Sequence, residues 1–216
     1  MINLSNTTLV CMSSVNIEDS IKALTLSSKD ILFHSVKLIT HSKPSGLDSI
    51  IQYHYIDQIK SIDDYSYNMI YNLEKYIDSD FALVVQADGY VINPSAWNND
   101  FFEYDYIGAP FPMPNDSFSY RDIYGNIFRV GNGGFSLRSK KLIELPNKLN
   151  LPWKSFHGYY NEDGFICGMY RHLYEKYGCK FAPIEVARYF SHETILPECN
   201  DIIPFGFHGK NNRYKL

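Results

Sequence analysis

Apolar residues in the first ninety positions alternate between compact β-branched runs and stretches with helical spacing. Residues 7–12 and 35–40 form short apolar runs that predict strands, and residues 17–24 repeat apolar side chains on one helical face. Asn16, with an acidic residue three positions later, predicts the start of that helix. The succession of strand, helix and strand predicts a β-α-β unit with parallel strands.

A carboxylate follows a strand that carries no charge. Residues 66–77 predict a helix that leads into the apolar run 81–85, which is typical of a strand buried on both faces of a parallel sheet. Asp88 follows this run, where an ionised carboxylate must be paired or bound to a metal. Ligands of open α/β sheets lie beyond the carboxyl ends of the strands, so Asp88 could hold a diphosphate and its divalent cation. Alternatively, Asp88 only shapes the turn into Gly89.

The pattern becomes irregular beyond Pro94. Three prolines among residues 110–114, followed by polar residues, predict a loop over the site. The glycine cluster 131–134 runs into an apolar strand, and its glycines permit either close approach of a ligand or a bulge or turn. The chain therefore predicts a single α/β domain with a mostly parallel central sheet flanked by helices, in which residues 1–93 form a nucleotide-binding half.

A second acidic pair lies at the start of a helical stripe. Glu162 and Asp163 precede apolar residues with helical spacing over 165–177, and the stripe ends at Gly178. Two acids in a first helical turn are each stabilised by about 0.3–1 kcal/mol through the helix dipole, which explains them without catalysis. A role in catalysis is the alternative.

Composition limits the classes of partner. The chain has 216 residues, 45% of them hydrophobic, and a formal net charge of -4, which suits one globular domain and excludes a broad nucleic-acid surface. Its 18 Tyr and 14 Phe suit stacking on sugars, although half-buried surface positions explain them equally well.

The spacing of the cysteines and the sequence of the chain ends indicate the cellular compartment of the protein. Cys11, Cys167, Cys179 and Cys199 lie far apart without a Cys-x-x-Cys motif, as expected of reduced core residues. No signal segment or apolar span occurs, so we expect a cytoplasmic protein. The basic and aromatic residues 210–216 could contact the inner face of a membrane, or could simply be solvated.

Five sequence blocks occur in the order found in one protein family. They are Gln-Ala-Asp-Gly-Tyr-Val at 86–91, Tyr-Asp-Tyr-Ile-Gly-Ala-Pro at 104–110, Gly-Asn-Gly-Gly-Phe-Ser-Leu at 131–137, Glu-Asp at 162–163 and Pro-Phe-Gly-Phe-His-Gly at 204–209. Together they resemble a family of glycosyltransferases related to the GT-A fold and found in bacterial surface-polysaccharide clusters. The resemblance extends from Ser66 to the end of the chain.

The resemblance implies a metal site. GT-A enzymes bind a divalent metal, usually Mn²⁺ and otherwise Mg²⁺, through an Asp-x-Asp motif that here reads Gln86-x-Asp88. Asp88 matches the residue that contacts the metal, whereas Gln86 brings no charge and would weaken the site. His208 matches the second common metal ligand of such enzymes, and imidazole with carboxylate suits Mn²⁺.

The resemblance also implies roles at the reacting groups. Glu162 and Asp163 match the Glu-Asp pair of inverting enzymes, in which the second acid deprotonates the acceptor hydroxyl; Asp163 is the preferred base and Glu162 the reserve. The segment Asn132, Gly133 and Gly134 would bind the donor through backbone N–H groups. Cys11 and Ser13 lie where GT-A folds touch the nucleoside, and residues 94–216 would form the acceptor and catalytic half.

These features lead to competing hypotheses. The first is an inverting, metal-dependent glycosyltransferase that moves a sugar from a nucleotide-sugar donor, by family habit UDP-linked, to a glycan or glycolipid. The second is a non-catalytic protein that binds carbohydrate or nucleotide sugar on the same scaffold, which the missing first Asp supports. Nucleotide-sugar hydrolysis and transfer with retention of configuration also remain open.

Overall fold

The computed structural model of the chain describes residues 1–194, 196–209 and 214. Within these ranges the strands are β1 (Ile2–Met12), β2 (Ile31–Thr40), β3 (Ile51–Tyr55), β4 (Phe81–Val84), β5 (Tyr106–Ile107), β6 (Ser136–Ser139), β7 (Ser191–His192) and β8 (Gly206–Phe207). The α-helices are α1 (Ile17–Ser28), α2 (Ile62–Tyr71), α3 (Lys140–Lys148), α4 (Arg171–Lys176) and α5 (Ile184–Phe190). Short 3₁₀ segments cover Leu73–Tyr76, Pro94–Ala96, Asn99–Glu103 and Pro197–Cys199, and a π-helical turn covers Gly164–Met169.

The central sheet has the strand order β3-β2-β1-β4-β6-β5. β1 pairs in parallel with β2 and β4, β2 pairs in parallel with β3, and β6 runs antiparallel to its neighbours β4 and β5. The chain builds outward from β1 to β3 and then returns to place β4 on the other side of β1. The boundary between β1 and β4 is therefore the topological switch point, where open α/β sheets bind ligands.

Both faces of this sheet are covered by helices because successive strand residues point to opposite faces. Leu9 and Leu83 pack in one buried cluster with Leu24 of α1 and with residues of α5. Val10 and Val84, one position further, pack in another cluster with residues of α2 and α3. The prediction of one α/β domain with a mostly parallel sheet flanked by helices is confirmed.

One helix start and one helix cap differ from the predictions. The helix predicted over 66–77 begins earlier, because the Ser61 hydroxyl accepts a hydrogen bond from the Asp64 backbone N–H at 3.0 Å and caps α2. Its predicted last turn forms the 3₁₀ segment Leu73–Tyr76 instead. Asn16 precedes α1 as expected, but it adopts a left-handed φ of 50° and makes no side-chain cap.

Strand β4 is buried as predicted, but only one of its two neighbouring strands is parallel to it. β4 is buried and pairs in parallel with β1, but its other neighbour, β6, is antiparallel. The antiparallel neighbour differs from the parallel sheet that this run is typical of, because a continuous apolar run reports burial on both faces and not the direction of the neighbouring strands.

Residues 110–130 form a long irregular hairpin where a loop was predicted. Pro110 pairs with Val130 at its base, the Phe128 N–H donates to the Tyr120 carbonyl at 2.8 Å, and Arg121 pairs with Ile127 near its tip. We call this segment the 110–130 hairpin. It extends from the β5 side of the sheet.

The remaining predictions concern cysteines and the chain end. Cys11, Cys167, Cys179 and Cys199 are all free and buried, which confirms their assignment as reduced core residues. In the part of the chain that the structure describes, no helix has the length and apolarity to span a membrane. The membrane contact predicted for residues 210–216 lies outside the described residues, apart from Tyr214.

Candidate functional site

A crevice of about 430 Å³ opens at the carboxyl ends of β1 and β4. Its walls are residues 11–16, which continue β1, residues 59–62 with Tyr65 at the start of α2, and residues 86–88 after β4. We call it the β1–β4 crevice. Its place at the switch point follows from the strand order, and it brings together Cys11, Ser13, Gln86 and Asp88.

The two β1 residues differ in accessibility. Cys11 is fully buried in the crevice wall, and this burial raises the pKa of its thiol to about 12, so the thiol is uncharged at neutral pH. Ser13 is partly exposed, and its hydroxyl donates to the Val15 carbonyl at 2.5 Å. Cys11 therefore offers packing surface, whereas Ser13 offers a polar group to a ligand.

A polar cluster of Gln86, Asp88 and His208 lies at the crevice. The His208 Nε2 atom is 3.0 Å from Gln86 Oε1 and 3.4 Å from Asp88 Oδ1. The Gln86 amide nitrogen donates to the Tyr65 hydroxyl at 2.7 Å, which turns its oxygen toward the imidazole. The Gly209 N–H donates to the Asp88 carbonyl at 2.9 Å and joins the two loops. The resemblance assigned Asp88 and His208 to one metal, and the structure places them in contact.

The His208 ring also faces Glu193, whose Oε1 lies 3.4 Å from Nδ1. Burial alone would lower the pKa of His208, but hydrogen bonding and charge from Asp88 and Glu193 raise it to about 9. The ring is therefore protonated at neutral pH unless a bound cation takes the place of the proton.

Asp88 and His208 have donor chemistry that suits Mn²⁺ or Mg²⁺. Within the described residues, no group of three or more His, Cys, Asp or Glu side chains is arranged to hold a metal. The pair alone supplies two donors of suitable chemistry, and its binding of a cation stays a prediction.

The segment 132–134 lies between His208 and Glu162. A Cβ atom on Gly134 would overlap the His208 imidazole, and one on Gly133 would overlap the Glu162 carboxylate. Asn132 Oδ1 accepts a hydrogen bond from the Gly134 N–H at 3.1 Å and fixes the segment. Close approach of side chains thus accounts for both glycines, and their contact with a donor stays a prediction.

Glu162 belongs to a buried ion pair. Its Oε1 lies 3.1 Å from Arg138 Nη2, with side chains only 9% and 1% exposed, respectively. Arg138 also donates to the Gly133 carbonyl at 3.2 Å and to the Ser136 hydroxyl at 3.0 Å. The structure therefore gives Glu162 a positioning contact beneath the 132–134 segment.

Breaking this pair should destabilise the fold. Arg138→Met leaves the Glu162 charge buried without compensation, and we expect the free energy of unfolding to fall by about 3–5 kcal/mol in urea titrations. Adding Glu162→Gln should recover part of the loss. Lys148→Met, which breaks the exposed pair with Glu144, should cost only about 0.3–0.5 kcal/mol. Equal costs for Arg138→Met and Lys148→Met would contradict the assignment.

Asp163, unlike Glu162, is partly exposed. It caps the π-helical turn, accepting a hydrogen bond from the Gly164 N–H at 2.7 Å. Burial, followed by the charge of Glu162, raises the pKa of Asp163 to about 7. A helix start by itself favours the ionised form of a carboxylate and so makes it a weaker base. Desolvation and Glu162 supply the compensation that a general base near neutral pH requires.

A second cleft, of about 240 Å³, contains Asp163. It lies between the 110–130 hairpin and the turn 156–159. We call it the aromatic cleft, and its lining is Phe111, Phe118, Ser119, Tyr120, Phe128, Phe156, His157, Tyr159, Asn161, Asp163 and Gly164.

Three residues of this region were missed by the sequence reasoning. Tyr65 orients Gln86, Glu193 faces His208, and Arg138 holds Glu162. A signal existed only for Arg138, because it follows Phe135 and Leu137 in the run after the glycine cluster, where a charge needs a partner as Asp88 does after β4. Tyr65 and Glu193 act through tertiary contacts that local patterns do not encode.

Solved glycosyltransferase structures share this fold. An active-site mutant of LgtC is 13% identical, with a TM-score of 0.55 over 93% of this chain and 86% of that one. A glycosyltransferase involved in glycosylation of the major capsid of PBCV-1 is 12% identical, with a TM-score of 0.52 over 96% and 94%. Galactosyltransferase LgtC in complex with donor and acceptor sugar analogs is 14% identical, with a TM-score of 0.51 over 93% and 86%. The fold is that of the GT-A glycosyltransferases.

The family follows from the sequence itself. Residues 50–208, well over half of the chain, match the family described as "Protein of unknown function (DUF5672)", and the chain belongs to this family. No curated protein matches the chain.

Proposed function

We propose that this chain is a glycosyltransferase that moves a sugar from a nucleotide-sugar donor to a hydroxyl group of a glycan or glycolipid. One observation carries the proposal: His208 of the Asp88–His208 pair and Glu162, which precedes the carboxylate with a pKa of about 7, Asp163, contact adjacent glycines of the 132–134 segment. Gly134 packs on His208, and Gly133 packs on Glu162, the residue before Asp163.

The donor would occupy the β1–β4 crevice. Its nucleoside would lie against Cys11 and Ser13, and its diphosphate would approach Asp88 and His208. The imidazolium or a bound cation supplies the positive charge that a diphosphate requires. Uridine as the base and bacterial surface polysaccharide as the pathway rest on the sequence resemblance alone.

Residues for a cation are in place. A divalent ion held by Asp88 and His208 would stabilise the negative charge that develops on the leaving diphosphate. Gln86 would not add a charge, but its oxygen is aimed at the same point by Tyr65.

The acceptor hydroxyl would be activated by Asp163. Its proton passes to the Asp163 carboxylate, the acceptor oxygen forms a bond to the anomeric carbon, and the bond from that carbon to the diphosphate oxygen breaks with its electron pair. Attack on the face opposite the diphosphate inverts the anomeric configuration. Glu162, held by Arg138, would position this helix start, and burial together with the charge of Glu162 would keep Asp163 basic.

Donor binding and acceptor activation would fall to different halves of the domain. The β1–β4 crevice is lined by residues up to Asp88, and the aromatic cleft is lined by residues 111–164. The division into a nucleotide-binding half, 1–93, and an acceptor and catalytic half, 94–216, has this support. Four free cysteines suit a reducing compartment, so the proposal places the reaction in the cytoplasm.

Incubation with a panel of nucleotide sugars and Mn²⁺ tests the proposal. A correct donor at about 100 times its dissociation constant should stabilise the fold by about 2.7 kcal/mol in thermal shift and release nucleoside diphosphate when an acceptor is present. Donor binding without turnover on any glycan acceptor would favour the non-catalytic alternative, which Gln86 in place of the first Asp supports. Absence of all nucleotide-sugar binding would contradict both.

A further inference from the structure

The aromatic cleft has two independently built walls. One is the 110–130 hairpin, and the other is the turn 156–159, closed by reciprocal backbone hydrogen bonds of 2.7 and 3.0 Å between Phe156 and Tyr159. His157 and Gly158, the central residues of that turn, have φ values of 50° and 83°. Two-residue turns whose central residues both have positive φ values are a tight way to reverse the chain. The turn therefore presents Tyr159 beside the hairpin.

Aromatic rings form most of the cleft surface. The Phe111 and Tyr120 rings are stacked with centroids 4.4 Å apart and an interplanar angle of 15°. The centroids of the Phe118 and His157 rings are 5.9 Å apart. Phe118 is 52% exposed, and Tyr159 is 68% exposed. Large exposed rings in a concave site offer flat surfaces to a ligand.

One ring is held at a conformational cost. Tyr120 has a φ of 50°, which is rare for a bulky residue and lies outside the hairpin tip at 122–126. Such strain persists only where the surrounding structure enforces it, and it is concentrated at ligand sites. The strained backbone brings the Tyr120 ring onto Phe111, toward the cleft.

The cleft also has a polar, acidic side. Asp163 and Asn161 line it, and Asp116 accepts hydrogen bonds at 2.6 Å from the N–H and the hydroxyl of the lining residue Ser119. Acidic groups repel a phosphorylated or carboxylated ligand, and they accept hydrogen bonds from hydroxyl groups. The occupant should therefore be neutral, rich in hydroxyls and flat on one face.

We propose that the aromatic cleft binds a neutral pyranose sugar of the acceptor, with its C–H face on the rings of Phe118 and Tyr159 and one hydroxyl directed to Asp163. This assignment rests on the proposed function for its role in transfer. The binding itself does not require turnover, so the two can fail separately.

Saturation-transfer difference NMR with four neutral glycosides tests the assignment. The probes are the methyl glycosides of β-galactose, β-glucose, α-mannose and N-acetyl-β-glucosamine, with galactose 1-phosphate and dihexanoylphosphatidylcholine as charged and apolar competitors. At least one glycoside should be saturated at its ring C–H protons. The signal should fall by about twofold or more in Phe118→Ala and in Tyr159→Ala, because each ring contributes about 0.5–1.5 kcal/mol.

The matched control is Tyr177→Ala, an aromatic residue that is 51% exposed outside the cleft lining and should leave the signal unchanged. All three side chains are at least half exposed, so the variants should keep the wild-type melting temperature and the wild-type affinity for UDP. The assignment would be overturned if no glycoside were saturated, or if the wild type and both cleft variants gave equal signals. Binding of only the phosphate or the phospholipid would also overturn it. Glycoside binding at the cleft without any nucleotide-sugar binding would instead refute the proposed function and leave the assignment standing.

Discussion

Asp163→Asn is expected to lower turnover by about 100-fold or more while nucleotide-sugar affinity stays at the wild-type level, because a general base contributes about 10²–10⁴-fold. The asparagine side-chain oxygen can still accept the hydrogen bond from the Gly164 N–H, so the cap should persist. Product formation and donor titration on the same preparation measure the two effects. Normal product formation would remove Asp163 from the mechanism.

The pH dependence of the wild type should report the same group. Since the base must be ionised and the pKa of Asp163 is raised to about 7, turnover should rise with pH up to about neutrality and level off above it. Below the pKa the rate should fall about tenfold per pH unit. A rate that stays constant from about pH 5 to 8 would contradict the assignment.

The stability of the fold should change with pH in the direction opposite to that expected of an ordinary helix-capping carboxylate. Because the pKa of Asp163 is raised in the fold from 3.8 to about 7, the folded state retains a proton that the unfolded chain releases, and the free energy of unfolding falls as pH rises through that interval. Asp163→Asn removes this loss, so its melting temperature should exceed that of the wild type at about pH 8 and match it below about pH 4.

Asp63→Asn provides the matched control, since Asp63 is an exposed acid in the first turn of α2. It should lose only about 0.3–1 kcal/mol of stability through the helix dipole, and its turnover should be normal. If Asp163→Asn behaves like Asp63→Asn in both measurements, Asp163 is a helix-start acid and no more.

The sequence predicted the parts of the fold that depend on local periodicity. The strand β4, the helix α1 and the ends of β1 and β2 are where the apolar patterns indicate, although β1 and β2 begin earlier than predicted. The anomalous charge of Asp88 marks the switch point. The direction of β6 was not predictable, since burial on both faces is the same for parallel and antiparallel neighbours. Helix α2 shifted because one cap, Ser61, outweighed the apolar stripe.

The site was predictable only through its charged residues. Asp88 stood out because a charge that follows an apolar strand needs a partner. Asp163 and His208 were assigned through the family resemblance, and residues from distant segments complete the site. Arg138 and Glu193 show this, since each contacts a residue more than ten positions away in sequence. The aromatic cleft was not visible at all, because the backbone conformation of Tyr120 and the turn at His157 depend on tertiary packing.

Asp88→Asn is expected to abolish the Mn²⁺-dependent part of UDP binding without unfolding the protein. Even groups that only orient a metal ligand contribute about 10–100-fold to metal affinity, so losing the one carboxylate of the Asp88–His208 pair should cost at least as much. Calorimetric titration of UDP with Mn²⁺ and with EDTA should give the same dissociation constant in the variant and different constants in the wild type. Circular dichroism checks the fold.

His208→Ala should weaken the Mn²⁺ dependence in the same direction but less, because water can replace the imidazole as a ligand. Asp30→Asn, at an exposed aspartate near the opposite end of β2, should leave both constants unchanged. Unchanged Mn²⁺-dependent affinity in Asp88→Asn would exclude Asp88 as a ligand. In another outcome, UDP affinity is independent of Mn²⁺ in the wild type but falls in both site variants. The cationic group for the diphosphate would then be the protonated His208, held by Asp88. An imidazolium and a metal ion are alternative sources of the same charge.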